Sequence, residues 1–112
     1  MRSSVAIASV VSLAMISAAH AEMPHYDVER YCTEIASLGG SMSQMMLQSC
    51  YTQEQTAYNA LKPRWDSLPE AMRTYCDQIA AVGGGGSYMM LESCVKQEES
   101  AASSNTGFHF KR

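Results

Sequence analysis

Four cysteines, nine methionines, eleven carboxylates and three histidines are the residues of this 112-residue chain that could do chemistry. Cys32 and Cys50 are separated by 17 residues, and so are Cys76 and Cys94. A thiol redox pair has the form Cys-x-x-Cys, and a zinc site needs close-spaced ligand pairs. Neither pattern occurs, so the cysteines read as structural disulfides. Adjacent methionines recur as Met45-Met46 and Met89-Met90. Thioether clusters can take Cu(I). Neighbours on a helix point about 100° apart, however, so each pair reads as packing or as an adaptable binding face, with copper the lesser alternative. Tyrosine and methionine are enriched at interfaces. Met45, Tyr51, Tyr58, Tyr88 and Met89 are therefore the candidate interaction residues.

The acids allow two readings. Asp27, Glu29, Glu34 and Glu54 are candidate ligands for a hard cation such as calcium or a lanthanide, which takes many oxygen ligands. The plainer reading is a set of surface ion pairs with Arg30, each worth about 0–1 kcal/mol. No EF-hand loop is present. His25 and His109 form no constellation with other ligand types. The sequence holds no Gly-x-Ser-x-Gly, His-Glu-x-x-His, P-loop or dinucleotide fingerprint. The expectation is a non-enzymatic protein without a resident cofactor.

These residues sit in one unit written twice. Tyr31-Cys-Thr-Glu-Ile-Ala-Ser-Leu-Gly-Gly40 repeats as Tyr75-Cys-Asp-Gln-Ile-Ala-Ala-Val-Gly-Gly84, and Ser43 to Cys50 repeats as Ser87 to Cys94. The offset is 44 without a gap, and 31–55 matches 75–99 at fourteen of twenty-five positions. Val28, Tyr31, Cys32, Ile35 and Leu38, and then Met72, Tyr75, Cys76, Ile79 and Val82, give the stripe of an amphipathic helix. Glycines 39–40 and 83–86 end these helices, and Ser43 and Ser87 are N-caps for a second helix in each copy. Met46, Leu47, Cys50, Ala57 and Leu61 are expected to face inward in the first copy, and Met90, Leu91 and Cys94 in the second. The GGGG run follows a helix, so it reads as a turn and not a phosphate cradle.

Cys32 lies seven residues before Gly39 and Cys50 seven after Ser43. In an antiparallel hairpin the two stand level, about 10 Å from the turn. Of the three possible pairings, repeat symmetry selects Cys32–Cys50 and Cys76–Cys94, each bridge worth roughly 3 kcal/mol. The fold class is therefore all-α: two tandem disulfide-stapled hairpins forming a small four-helix unit. The first hairpin spans 22–62 and the second 70–101. The connector 63–69 carries Trp65 and Leu68, expected to fold between the hairpins, and ends in a Ser67-Leu-Pro-Glu70 capping box. Residues 102–112 lose periodicity and read as a flexible tail.

Residues 1–21 have the form of a secretory signal peptide: Arg2, a short apolar run and Ala19-His20-Ala21 at the cut. The run is too short to anchor in a bilayer, which needs about 20 apolar residues. Cleavage removes Arg2 and leaves seven Lys/Arg against eleven Asp/Glu, a formal charge of -4. That balance argues against a nucleic-acid partner. Export puts the cysteines where disulfides persist, in the periplasm or outside the cell.

Trp65-Asp-Ser-Leu-Pro69, Arg73-Thr-Tyr-Cys76, Gly83-Gly84, Ser87-Tyr88 and Leu91-Glu-Ser-Cys94 together resemble a pattern found in small secreted proteins of alphaproteobacteria. The first copy shares the cysteines and Gly-Gly but has Ser43-Gln44 where the pattern has Ser-Tyr. The resemblance covers about residues 28–99 and implies the hairpin and the compartment, not an activity. The functional expectation is an exported binding protein that meets a protein partner or a second copy of itself. The alternative is a periplasmic metal carrier using carboxylates.

Overall fold

The structure, a computed structural model, describes residues 3–10 and 21–112. The expected leader therefore lies largely outside the described residues. Residues 3–10 carry no regular structure and are exposed.

The described residues form four α-helices: α1 Val28–Ala36, α2 Gln44–Leu61, α3 Glu70–Ala80 and α4 Tyr88–Asn105. The repeat is visible in their bounds. The ends at Ala36 and Ala80, the starts at Gln44 and Tyr88 and the ends at Leu61 and Asn105 are each 44 residues apart. Disulfides join Cys32 to Cys50 and Cys76 to Cys94, with Cα atoms 5.6 and 5.5 Å apart. The fold is all-α, with each bridge stapling its own hairpin.

Ser43 and Ser87 cap α2 and α4, their hydroxyls accepting from the Met46 and Met90 amides. The backbone closes each hairpin in the same way, the Ser43 amide donating to the Ala36 carbonyl and the Ser87 amide to Ala80. Asp27 caps α1 by accepting from the Arg30 amide at 3.1 Å. The capping box expected at Ser67–Glu70 does not form. Ser67 instead donates to the Arg64 carbonyl at 2.6 Å, inside a 3-10 segment Lys62–Ser67, and α3 begins after Pro69 with no side-chain cap.

The inward line of each first helix differs from the broad stripe in the sequence. Cys32 and Ala36 are buried in α1, and Cys76 and Ala80 in α3, while Leu38, Tyr75, Ile79 and Val82 are exposed. A disulfide holds the paired helices close, so the residue one turn beyond Cys32 and Cys76, on the way to the turn, must be small. Alanine fits there, and the bulkier Tyr and Ile of the stripe are left on the shoulder of the hairpin. Met46 and Met90, expected inside, are also exposed.

The core joins Ala57 and Leu61 of α2, Trp65 and Leu68 of the connector, Cys76 and Ala80 of α3, and Tyr88, Leu91, Cys94 and Val95 of α4. Trp65 and Leu68 are buried between the hairpins, and the indole Nε1 donates to the Glu22 carbonyl at 2.9 Å. α2 and α4 lie side by side and run the same way. Glu54 meets Ser87 and Tyr88, and Arg64, just past α2, pairs with Glu99. The contact offset is thus 33–35 residues where the repeat offset is 44, a slide of about ten residues or 15 Å along the helix axis. α4 runs through Asn105, past the boundary at 101 that the loss of periodicity predicts. Its last turns need no apolar stripe because they are exposed, and Ala101-Ala102 has high helix propensity.

Candidate functional site

Two places in the molecule hold the singled-out residues: the junction between the hairpins and a pair of grooves on their open shoulders.

At the junction Glu54 is 1 % exposed. Its Oε1 accepts from the Ser87 hydroxyl at 2.6 Å and its Oε2 from the Tyr88 amide at 2.6 Å. The carboxyl group thus closes the N-terminus of α4, where free amides and the helix dipole favour an acid. The surface ion-pair role expected for Glu54 does not hold. The slide of the hairpins brings the start of α4 to it, and the other hairpin satisfies its oxygens.

Tyr88 is 7 % exposed, so it belongs to the internal junction and not to an open face. Its hydroxyl donates to the Pro24 carbonyl at 2.7 Å and accepts from the Tyr26 amide at 3.1 Å. Its ring lies 4.6 Å from that of Tyr26 and 5.0 Å, edge-on, from that of Tyr58. Tyr26 in turn donates to Asp77 at 2.7 Å. Burial, reinforced by the Asp77 carboxylate, pushes the Tyr26 phenol above its ordinary range, and burial likewise raises Tyr88. Gln44 occupies the repeat position of Tyr88 and is exposed. The first hairpin therefore has no equivalent of this tyrosine anchor.

The glycine run is part of the same junction. The Asp27 amide donates to the Gly85 carbonyl at 3.0 Å. Gly85 and Gly86 both have φ near +92°, and a Cβ there would meet the Asp27 carbonyl and the Tyr26 ring. The first hairpin has Ser41 and Met42 at these positions, and both are exposed.

The four candidate metal ligands are not gathered. Asp27 caps α1, Glu34 pairs with Arg30 at 3.3 Å, and Glu54 is committed to α4. Glu29 and Glu54 share a groove, a cleft of ≈ 460 Å³ with His25, Val28, Tyr51 and Tyr58. Among the described residues, no three of His, Cys, Asp and Glu come together as a metal site would require.

The second place is a repeated groove. In the first hairpin Tyr31, Ile35, Met45, Met46, Ser49, Cys50 and Gln53 line a cleft of ≈ 470 Å³. The residues 44 positions on, Tyr75, Ile79, Met89, Met90, Ser93, Cys94 and Gln97, line one of ≈ 430 Å³. Tyr31 and Met89 border both clefts, so the two are neighbours on one face. Met45 is 83 % exposed, and Met46, Met89 and Met90 are exposed as well. Each groove is lined by a tyrosine and an isoleucine of one helix and by two exposed methionines and one disulfide cysteine of the next. Such a surface suits an apolar ligand of variable shape. Glu98, the repeat counterpart of Glu54, lines the second groove instead of capping a helix.

The shoulder position of Tyr31, Ile35, Tyr75 and Ile79 is not evident in the sequence, because their stripe has the pattern of a core face. Their repetition was the available signal. No described helix is long and apolar enough to cross a membrane. Comparison with protein-family models, curated proteins and solved structures finds no match.

Proposed function

We propose that the protein is a non-enzymatic binding module that engages a protein, either a partner or a second copy of itself, through its two shoulder grooves. One observation carries the reading: the same seven repeat positions line both clefts, and their methionines stand open. Exposed apolar area of this kind is disfavoured on a surface that meets only water. The leader-like start and the two disulfides support action in an oxidising compartment, the periplasm or the cell exterior.

Site-specific photocrosslinking in the producing cell tests the reading. A photoreactive residue at Met45 or Met89 should give discrete protein adducts, and one at the exposed Asn59, away from both grooves, should not. Absence of adducts at both methionines removes the proposal.

A further inference from the structure

Residues 106–112 carry a further exposed apolar group. Phe108 and Phe110 are 71 % and 76 % exposed. Residues 108–112 have no regular structure, and in an extended segment alternate residues share one side. In that conformation the two rings would form a single apolar edge, followed by Lys111 and Arg112. The second groove offers the matching chemistry: thioethers of Met89 and Met90, which pack well against aromatic rings, and Glu98, which has no ion-pair partner among the described residues.

The segment cannot fill the groove of its own chain. The Phe108 amide bonds the Asn105 carbonyl at 3.1 Å, which holds Phe108 at the end of α4. Phe110 lies at most about 7 Å further on. Met90 is fifteen residues back along α4, about 22 Å away.

We propose that the occupant of the second groove is the Phe108–Arg112 segment of a second copy of this chain, with the phenylalanines against Tyr75, Ile79, Met89 and Met90 and the basic pair beside Glu98. Two copies exchange segments reciprocally, so the contact closes at a dimer. This rests on the reading of the grooves as binding surfaces and names what one of them binds.

Sedimentation equilibrium of the purified, oxidised protein tests it, with three chains compared: wild type, Phe108→Ser/Phe110→Ser and Met89→Ser/Met90→Ser. All four substituted positions are exposed, and circular dichroism checks that helicity is kept. The wild type should dimerise, and both variants should weaken the dimer by roughly a hundredfold. A wild type that stays monomeric at about 100 µM, where a micromolar dimer would be nearly complete, overturns the dimer and leaves the groove reading to the crosslinking experiment. A dimer lost in the methionine variant and kept in the phenylalanine variant overturns the occupant while the groove stands. A dimer indifferent to both sets overturns the proposed occupant and likewise leaves the groove reading to the crosslinking experiment.

Discussion

Glu54 and Tyr88 lie 34 residues apart in sequence, yet the Glu54 carboxyl accepts the Tyr88 amide at 2.6 Å and shuts the first turn of α4. Through that contact one hairpin completes the other. It is also where the internal symmetry breaks, because the repeat counterparts Glu98 and Gln44 make no such contact. Removing the Glu54 side chain leaves the Ser87 hydroxyl and the Tyr88 amide buried without their acceptor, a loss of about 1–3 kcal/mol. Glu54→Ala should therefore lower the melting temperature by roughly 4–24 °C, at about 4–8 °C per kcal/mol for a chain of this size. Glu98→Ala, at a half-exposed position, should stay within about 0.5 kcal/mol of wild type. Equal effects from the two would contradict the assignment.

The glycine run gives a second asymmetry. Gly86→Ala places a methyl group against the Tyr26 ring at a backbone angle that alanine rarely adopts, and Gly85→Ala meets the Asp27 carbonyl. Each should cost at least about 1 kcal/mol. Gly39→Ala, with open space around it and no positive φ, should be close to neutral or slightly stabilising. Chemical denaturation of the three variants ranks them.

The two disulfides should not be equivalent. Cys76 and Cys94 belong to the shared core, whereas the Cys32–Cys50 bridge lies outside it and Cys50 is only half-buried. Replacing the 76/94 pair by alanine should lower global stability by about 2–5 kcal/mol. Replacing the 32/50 pair should chiefly free α1, seen as faster hydrogen exchange of the α1 amides while those of α4 stay protected. Loss of protection throughout in the second case would show that α1 is needed for the whole fold.

The tyrosine cluster sets an alkaline limit. Tyr26 and Tyr88 have folded-state pKa values raised by burial, so the fold favours their protonated forms. The resulting stability is complete below the unfolded tyrosine pKa of about 10 and is lost as pH climbs above it. Absorbance titration should show the Tyr26 and Tyr88 phenols ionising above about pH 10, together with unfolding. Ionisation of the Tyr26 and Tyr88 phenols near pH 10 with helicity intact would contradict the buried cluster.

The hairpins and their pairing were legible because a Cys-x17-Cys span with glycine at its centre stands the cysteines level, and the repeat removes the alternative pairings. The inner line of α1 and α3 was not legible. Tyr31 and Ile35 belong to the same apolar stripe as Cys32, and only the close approach at the disulfide assigns the inside to Ala36. The role of Glu54 was hidden for a different reason: its partner arrives from the other hairpin through a ten-residue slide that no periodicity encodes. Two hints were present. Tyr88 replaces Gln44 in an otherwise matched stretch, and Gly85-Gly86 exceeds what the first copy needs to turn. Each marks a residue that meets the other hairpin.

Methionine oxidation footprinting offers the most direct check that the shoulder grooves are occupied when the protein works. Met45, Met46, Met89 and Met90 are exposed, and exposed thioethers convert readily to sulfoxides. In dilute purified protein all four should oxidise rapidly, whereas in the producing cell the groove methionines should be protected relative to the exposed Met42, outside both grooves. Equal oxidation of all five methionines in both settings would show that the grooves stay empty and would contradict the binding role.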